Sequence, residues 1–323
     1  MAKRQYIRYV TDEKLSKVNP NNLRWIERYF NSKGSNLSET SRKGYQSDFN
    51  QWMVYIMENY DNTEITKFET EDAVDMIEDF IAFCRSVLGN NERRIQRRLS
   101  SISSFYLYLK RRRKITENPL DFIERPSIRV GEKPQIKQTF LTEEQVKEIR
   151  QKLKQLGNLQ LELYFEFGLS TMARANAIAS VRVDQIDFEN EVITGVKEKE
   201  GYIVDLLPSE RTMKLIKEWL AYRKQNGIDS EYLFITKYRG EWKKVNTNTI
   251  QTVWIKKIGE LIGIPELHSH DLRHSGANLL YHRGLSLEEV QELLNHKSPT
   301  VTQQHYLQTN LDKLKKNKKF FEI

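Results

Sequence analysis

The 323-residue chain has one cysteine, Cys84. A single thiol cannot build a disulfide framework or a thiolate metal cluster, which suits a reducing compartment. No stretch approaches the roughly 18 uninterrupted apolar residues of a membrane span. Met1 to Val10 is basic and aromatic but holds no long apolar run, so no signal peptide is expected. A cytoplasmic protein is the expectation. Internal repeats are absent. Acidic residues are in the minority: 52 Lys and Arg face 44 Asp and Glu, and the pI is near 9.2. That excess favours polyanionic partners, nucleic acid among them. Apolar residues make up 38% of the chain, enough for two modest cores, and the length also suggests two domains. Histidine is missing from the whole first part: the six histidines begin at His268.

Residues 1–20 read as a basic, loosely structured N-terminal arm. A helical domain is expected over 21–126. From Ser41, the apolar positions Tyr45, Phe49, Trp52, Met53, Ile56 and Tyr60 recur at three- and four-residue steps, one face of an amphipathic helix. Glu71 to Cys84 gives another. A third carries the stripe Ile95, Leu99, Ile102, Phe105, Tyr106 and Leu109. Its start is crowded by Arg93, Arg94, Arg97 and Arg98, and its end by Lys110, Arg111, Arg112, Arg113 and Lys114. Cations suit a helix C-terminus, whereas four arginines at the N-terminus oppose the dipole. Phosphate is the natural ligand to favour them there, against the plain alternative of a solvated basic face.

Pro126, Gly131 and Pro134 lie in a stretch without apolar period, so 127–137 reads as a linker. The second domain, 138–323, opens at Leu141, where Thr142 and Gln145 have capping-box spacing. Helices to about Val181 give way to β-prone runs at Ile186–Phe188, Val192–Val196 and Ile203–Leu207. Helices then resume, with a second capping box at Ser286 and Glu289. The expected fold is mainly α with one small antiparallel β-sheet.

The string His268-Ser269-His270-Asp271-Leu272-Arg273-His274 concentrates chemistry. Histidines four apart share a helical face, as in zinc sites, but there is no HExxH pattern or nearby thiol, and Arg273 would set a fixed charge beside a metal. Phosphate fits better. Arg273 lies one turn after His270, supplying forked donors beside a tunable proton. His296 follows Leu293-Leu294-Asn295, and Tyr306 comes ten residues later, a candidate nucleophile in that company.

These motifs, in this order, resemble the tyrosine recombinases of phages and mobile elements. The likeness covers about residues 138–310, and residues 25–126 resemble the family's helical, SAM-like core-binding domain. The resemblance implies a catalytic set of Arg174, Lys199, His270, Arg273, His296 and Tyr306, with Lys197 a rival for the hairpin lysine. It implies that Tyr306 attacks a DNA phosphodiester and holds the 3′ side as a phosphotyrosine, with no metal, ATP or other cofactor. Double-stranded DNA is the implied partner. Self-association on DNA through the C-terminal tail, Leu307 to Ile323, is implied as well.

Some positions depart from the family pattern. Position 177, three residues after Arg174 and usually Glu, is alanine. Ser170-Thr171-Met172-Ala173 stands where Thr-Gly-Leu is common. Asn295 replaces a glycine, a mild change because asparagine tolerates a left-handed helix cap. They leave a second class open: a catalytically inactive DNA-binding regulator on the same fold, such as a phage repressor. Type IB topoisomerase-like nicking and resealing is a third.

Overall fold

A computed structural model describes residues 9–33, 37–127, 139–198 and 201–295. The chain divides into two compact units, residues 1–134 and 135–323. The expected linker lies mostly outside the described residues.

Unit 1 is helical: α1 (Asp12–Lys17), α2 (Pro20–Lys33), α3 (Glu39–Asn59), α4 (Thr70–Ser86) and α5 (Glu92–Arg111). The arm was expected to be loosely structured, yet α1 forms within it. The Thr11 side chain caps it by accepting from the Lys14 N–H, and Lys14 pairs with Glu58 on α3 at 2.6 Å. The short polar segment has no apolar period of its own, so this local cap and tertiary contact organise it.

The apolar stripes of α3, α4 and α5 meet in one core. Its centre is aromatic: Phe49 and Phe105 lie 5.4 Å apart between ring centroids, as do Trp52 and Tyr106. Cys84 is buried in this core.

Unit 2 holds α6 (Glu143–Leu156), α7 (Leu159–Thr171), α8 (Ala175–Ser180), β1 (Ile186–Asp187), β2 (Val192–Lys197), β3 (Ile203–Leu206), α9 (Glu210–Gln225), β4 (Ile235–Tyr238), β5 (Glu241–Lys244), α10 (Thr247–Thr249), α11 (Ile255–Leu261), α12 (Ser269–His282) and α13 (Leu287–Leu293). Both expected capping boxes form, at the starts of α6 and α13. The strands pair antiparallel in the order β1-β2-β3, with Ile193 opposite Ile186 and Leu206.

Two features exceed the sequence reading. A second, two-stranded sheet joins β4 to β5. Its strands are four residues each and mostly exposed, so alternation is too weak to announce them. The helix expected around Ile250 contains a π-helical stretch, Ile250–Trp254, between α10 and α11.

The central element is α7, buried on nearly every side and packed on both α9 and α12. Two glycines permit its close approach to α12. A Cβ on Gly276 would lie 2.1 Å from the Leu169 carbonyl oxygen, and one on Gly168 would lie 2.9 Å from Leu272 Cδ1. The one charge on the buried surface of α7, Glu166, is matched by Arg150 at 2.6 Å and Arg211 at 3.1 Å.

Candidate functional site

The site forms where α7 ends, α8 begins and α12 passes beneath. Helix α7 stops at Met172, which takes a left-handed conformation with φ of 53°. It lies in the stretch Ser170–Ala173 that departs from the Thr-Gly-Leu of the resembling family. A methionine there costs about 1–2 kcal/mol of backbone strain. Its side chain is 1% exposed and packs in a small cluster with Ala277, Val290 and Leu294, which offsets that cost. Two residues on, Arg174 begins α8 in extended conformation.

Helix α12 opens at His268, whose N–H donates to the Asp271 carboxylate at 2.8 Å. Burial pushes the Asp271 carboxyl up from its ordinary value, against the hydrogen bonds it accepts from the backbone of His268 and Thr139. The next turn carries His270 and Arg273 on one side.

Arg273 is 1% exposed. Its Nη1 donates to the Met172 carbonyl oxygen at 2.6 Å, and its Nη2 to the Leu294 carbonyl oxygen at 2.5 Å. Both carbonyls belong to C-terminal caps, of α7 and α13, where backbone oxygens lack helical partners and the dipole is negative. Two helix ends therefore orient one guanidinium. These carbonyls are neutral and do not themselves cancel its charge. Asn295, just past α13, is left-handed with φ of 51°, as its replacement of a glycine required.

His270 feels that charge. Its residue keeps a solvent-exposed edge, yet crowding of protein around the ring, then the positive charges of Arg273 and Arg174, hold its pKa down to about 4. It is a neutral imidazole at pH 7. Arg273 reaches the Met172 carbonyl two residues before Arg174, and His270 lies one turn before Arg273 on α12, so the three share one neighbourhood. The imidazole of His274 crosses that of His270 nearly at right angles, with centroids 4.7 Å apart, and packs on Phe140 at 5.8 Å.

Arg174 forms an ion pair through Nη1 with Glu198, which lies just past the end of β2. Sequence reading weighed this turn for lysines and passed over the glutamate; a carboxylate beside the expected hairpin lysine was the available signal. Lys197 is exposed at the end of β2, opposite Ile203. Lys199, His296 and Tyr306, and the tail from Leu307, lie outside the described residues. Arg174, His270 and Arg273 are therefore the members of the predicted set that the structure brings together. Position 177 is a fully buried alanine on α8.

The predicted DNA-contacting residues divide differently. Arg93, Arg94 and Arg97 are exposed at the start of α5, and Lys110, Arg111, Arg112 and Arg113 are exposed at its end. About 17 residues separate the clusters, some 26 Å along the helix, so they make two patches.

Arg98 is a correction. It is 1% exposed and turned into the core, where it faces Asp48 at 3.5 Å, Cys84 Sγ at 2.9 Å and Gln51 at 2.8 Å. It offers nothing to a surface ligand. Asp48, itself fully buried, also pairs with Arg97 at 2.8 Å. An internal carboxylate thus accounts for two of the four arginines set against the helix dipole. Arg93 and Arg94 have no ion pair among the described residues.

Residues 139–312 match the phage integrase family, and the chain belongs to that family. It is 26% identical over 271 residues to a tyrosine recombinase of Thermosipho africanus, covering 82% of this chain and 87% of that protein. It is 26% identical over 295 residues to the tyrosine recombinase XerC of Syntrophus aciditrophicus, covering 84% and 87%. In fold, it is similar to the XerH site-specific recombinase bound to a palindromic difH substrate, with a TM-score of 0.70 over 94% of this chain and 97% of that one at 16% identity. A lambda integrase dimer bound to a core site aligns with a TM-score of 0.61, over 87% and 76% at 18% identity. The expected fold class, mainly α with a small antiparallel β-sheet, is the observed one, with a second small sheet added. Among the described residues, no helix is long and apolar enough to cross a membrane.

Proposed function

We propose that this chain is a site-specific tyrosine recombinase that cleaves and rejoins double-stranded DNA through a 3′-phosphotyrosyl intermediate. The observation that carries the reading is the gathering of Arg174 and Arg273 around a neutral His270 at the junction of α7, α8 and α12.

That grouping suits a phosphodiester. Two guanidiniums supply donors to its non-bridging oxygens, and their charge is worth most where negative charge grows in the transition state. The Tyr306 oxygen attacks phosphorus, the P–O bond to the 5′ oxygen breaks, and the 5′ hydroxyl leaves. Lys199 gives that oxygen its proton, and His270 accepts the proton from tyrosine or assists its loss. A bound phosphate anion offsets the arginine part of the His270 depression, while burial, its larger cause, remains. His296 helps hold the phosphate. A 5′ hydroxyl from a second strand reverses the step, with the bond energy kept in the protein–DNA link, so neither ATP nor a metal is required.

Binding is assigned to exposed cations of both units, with Arg93, Arg94 and Arg97 and the cluster from Lys110 to Arg113 contributing from unit 1. Phosphate contacts make such binding fall steeply with salt. Self-association through residues 307–323 belongs to the same proposal.

A nicked suicide duplex carrying the natural site tests the chemistry. The wild type is expected to form a covalent adduct and Tyr306→Phe none. Specific binding without adduct from either protein identifies a DNA-binding regulator instead.

A further inference from the structure

The side chain of Glu198 is 6% exposed, while that of its partner Arg174 is 34% exposed. The Glu198 N–H donates to the Tyr202 carbonyl oxygen at 2.7 Å, so the turn after β2 holds this residue by its backbone as well as by its side chain. Helix α8, which Arg174 begins, contains no acidic residue in its sequence Ala-Asn-Ala-Ile-Ala-Ser. Arg174 is the one ion-pair partner of Glu198 among the described residues.

A carboxylate on an arginine meant for phosphate has two physical readings. It is a placeholder that the phosphate displaces, or it is a brace that stays. Burial decides between them. If Arg174 turned wholly to a ligand, Glu198 would be left nearly dry and without a counter-ion, one of the costliest arrangements a protein can adopt. A guanidinium does not force that choice. It carries five N–H donors in a planar fork, so one edge can remain on a carboxylate while the rest face another anion. Arg174 engages Glu198 through Nη1 and keeps a third of its side chain accessible.

We propose that Glu198 is a positioning residue that braces one edge of Arg174, so that the remaining donors stand ready for a phosphodiester oxygen. The inference rests on the recombinase reading. The brace also tempers repulsion in a site where Arg174 and Arg273 both act on His270.

The test uses the full chain and the nicked suicide duplex, with duplex affinity and the rate of adduct formation at saturating DNA measured separately. Glu198→Gln keeps shape and hydrogen-bond capacity but removes charge. Its affinity is expected to stay within about twofold and its adduct rate to fall about tenfold or more, because preorganisation of a transition-state contact is lost. In an Arg174→Ala background the same change is expected to cost nothing further. An unchanged or faster rate overturns the brace, as does an equal loss in both backgrounds, which marks a merely structural role. If Glu198→Gln no longer binds duplex, Glu198→Asp is read in the same two backgrounds by the same criteria. No adduct from the wild type overturns the recombinase reading and the brace with it. Wild-type adduct with an unaltered Glu198→Gln rate overturns the brace alone.

Discussion

Each unit buries an arginine to 1% exposure, and the two are held in opposite ways. In unit 1, Arg98 meets a carboxylate, Asp48, together with a thiol and an amide. Its charge is cancelled inside the core, and the network fastens α5 to α3 and α4. In unit 2, Arg273 is gripped by two carbonyl oxygens at helix ends, which orient the guanidinium while its charge still reaches His270. The first arrangement is suited to stability. The second fixes the direction in which a guanidinium points. Burial alone therefore does not tell a structural arginine from one placed at a site; the groups around it must be seen.

This comparison can be broken experimentally. The largest effect is expected at Arg273: Arg273→Ala should slow adduct formation by about 10²–10³-fold or more, the usual cost of losing a donor to transition-state charge. Arg98→Met should leave the adduct rate per folded molecule nearly intact. An Arg98→Met protein that folds normally but cleaves as poorly as Arg273→Ala would dissolve the distinction.

Next in size is stability. Asp48→Asn leaves Arg98 buried without its counter-ion and is expected to destabilise unit 1 by about 3–5 kcal/mol, read from denaturant midpoints. Combining it with Arg98→Met should cost less than the sum, since the pair then leaves no orphaned charge. Additive losses would show that the two residues do not act as a pair.

The smallest effect concerns pH. His270 titrates near 6.5 when unfolded and at about 4 when folded, so between those values the unfolded chain binds the proton more readily. The associated stability is complete above about pH 6.5 and is lost as pH falls toward 4. Thermal melts at pH 7 and pH 5 should therefore differ more for the wild type than for His270→Asn. Equal differences would show that burial and the neighbouring arginines do not depress this histidine.

Much of this was legible without coordinates because it depends on neighbours along the chain. The stripe from Ile95 to Leu109, the boxes Thr142/Gln145 and Ser286/Glu289, and the left-handed Asn295 are local matters, governed by helical period and backbone sterics. The one-turn spacing of His270 and Arg273 is local too. Spacing also separates Arg97 from Arg98, since Arg98 lies three residues after Ile95 and four before Ile102, on the buried stripe. What spacing could not show is that Asp48, on another helix, meets both of them.

The sequence by itself determined the helical character, the small antiparallel sheet, the basic balance and the family order of Arg174, His270 and Arg273, since these follow from composition, period and motif. Tertiary structure alone decided which charges are neutralised. It matched Arg98 to Asp48 and Arg174 to Glu198, and it set Arg273 against the carbonyls of Met172 and Leu294. The physical reason is range. Backbone preference acts over a few residues, whereas a buried charge is settled by whatever the fold brings within about 3 Å, from up to a hundred positions away.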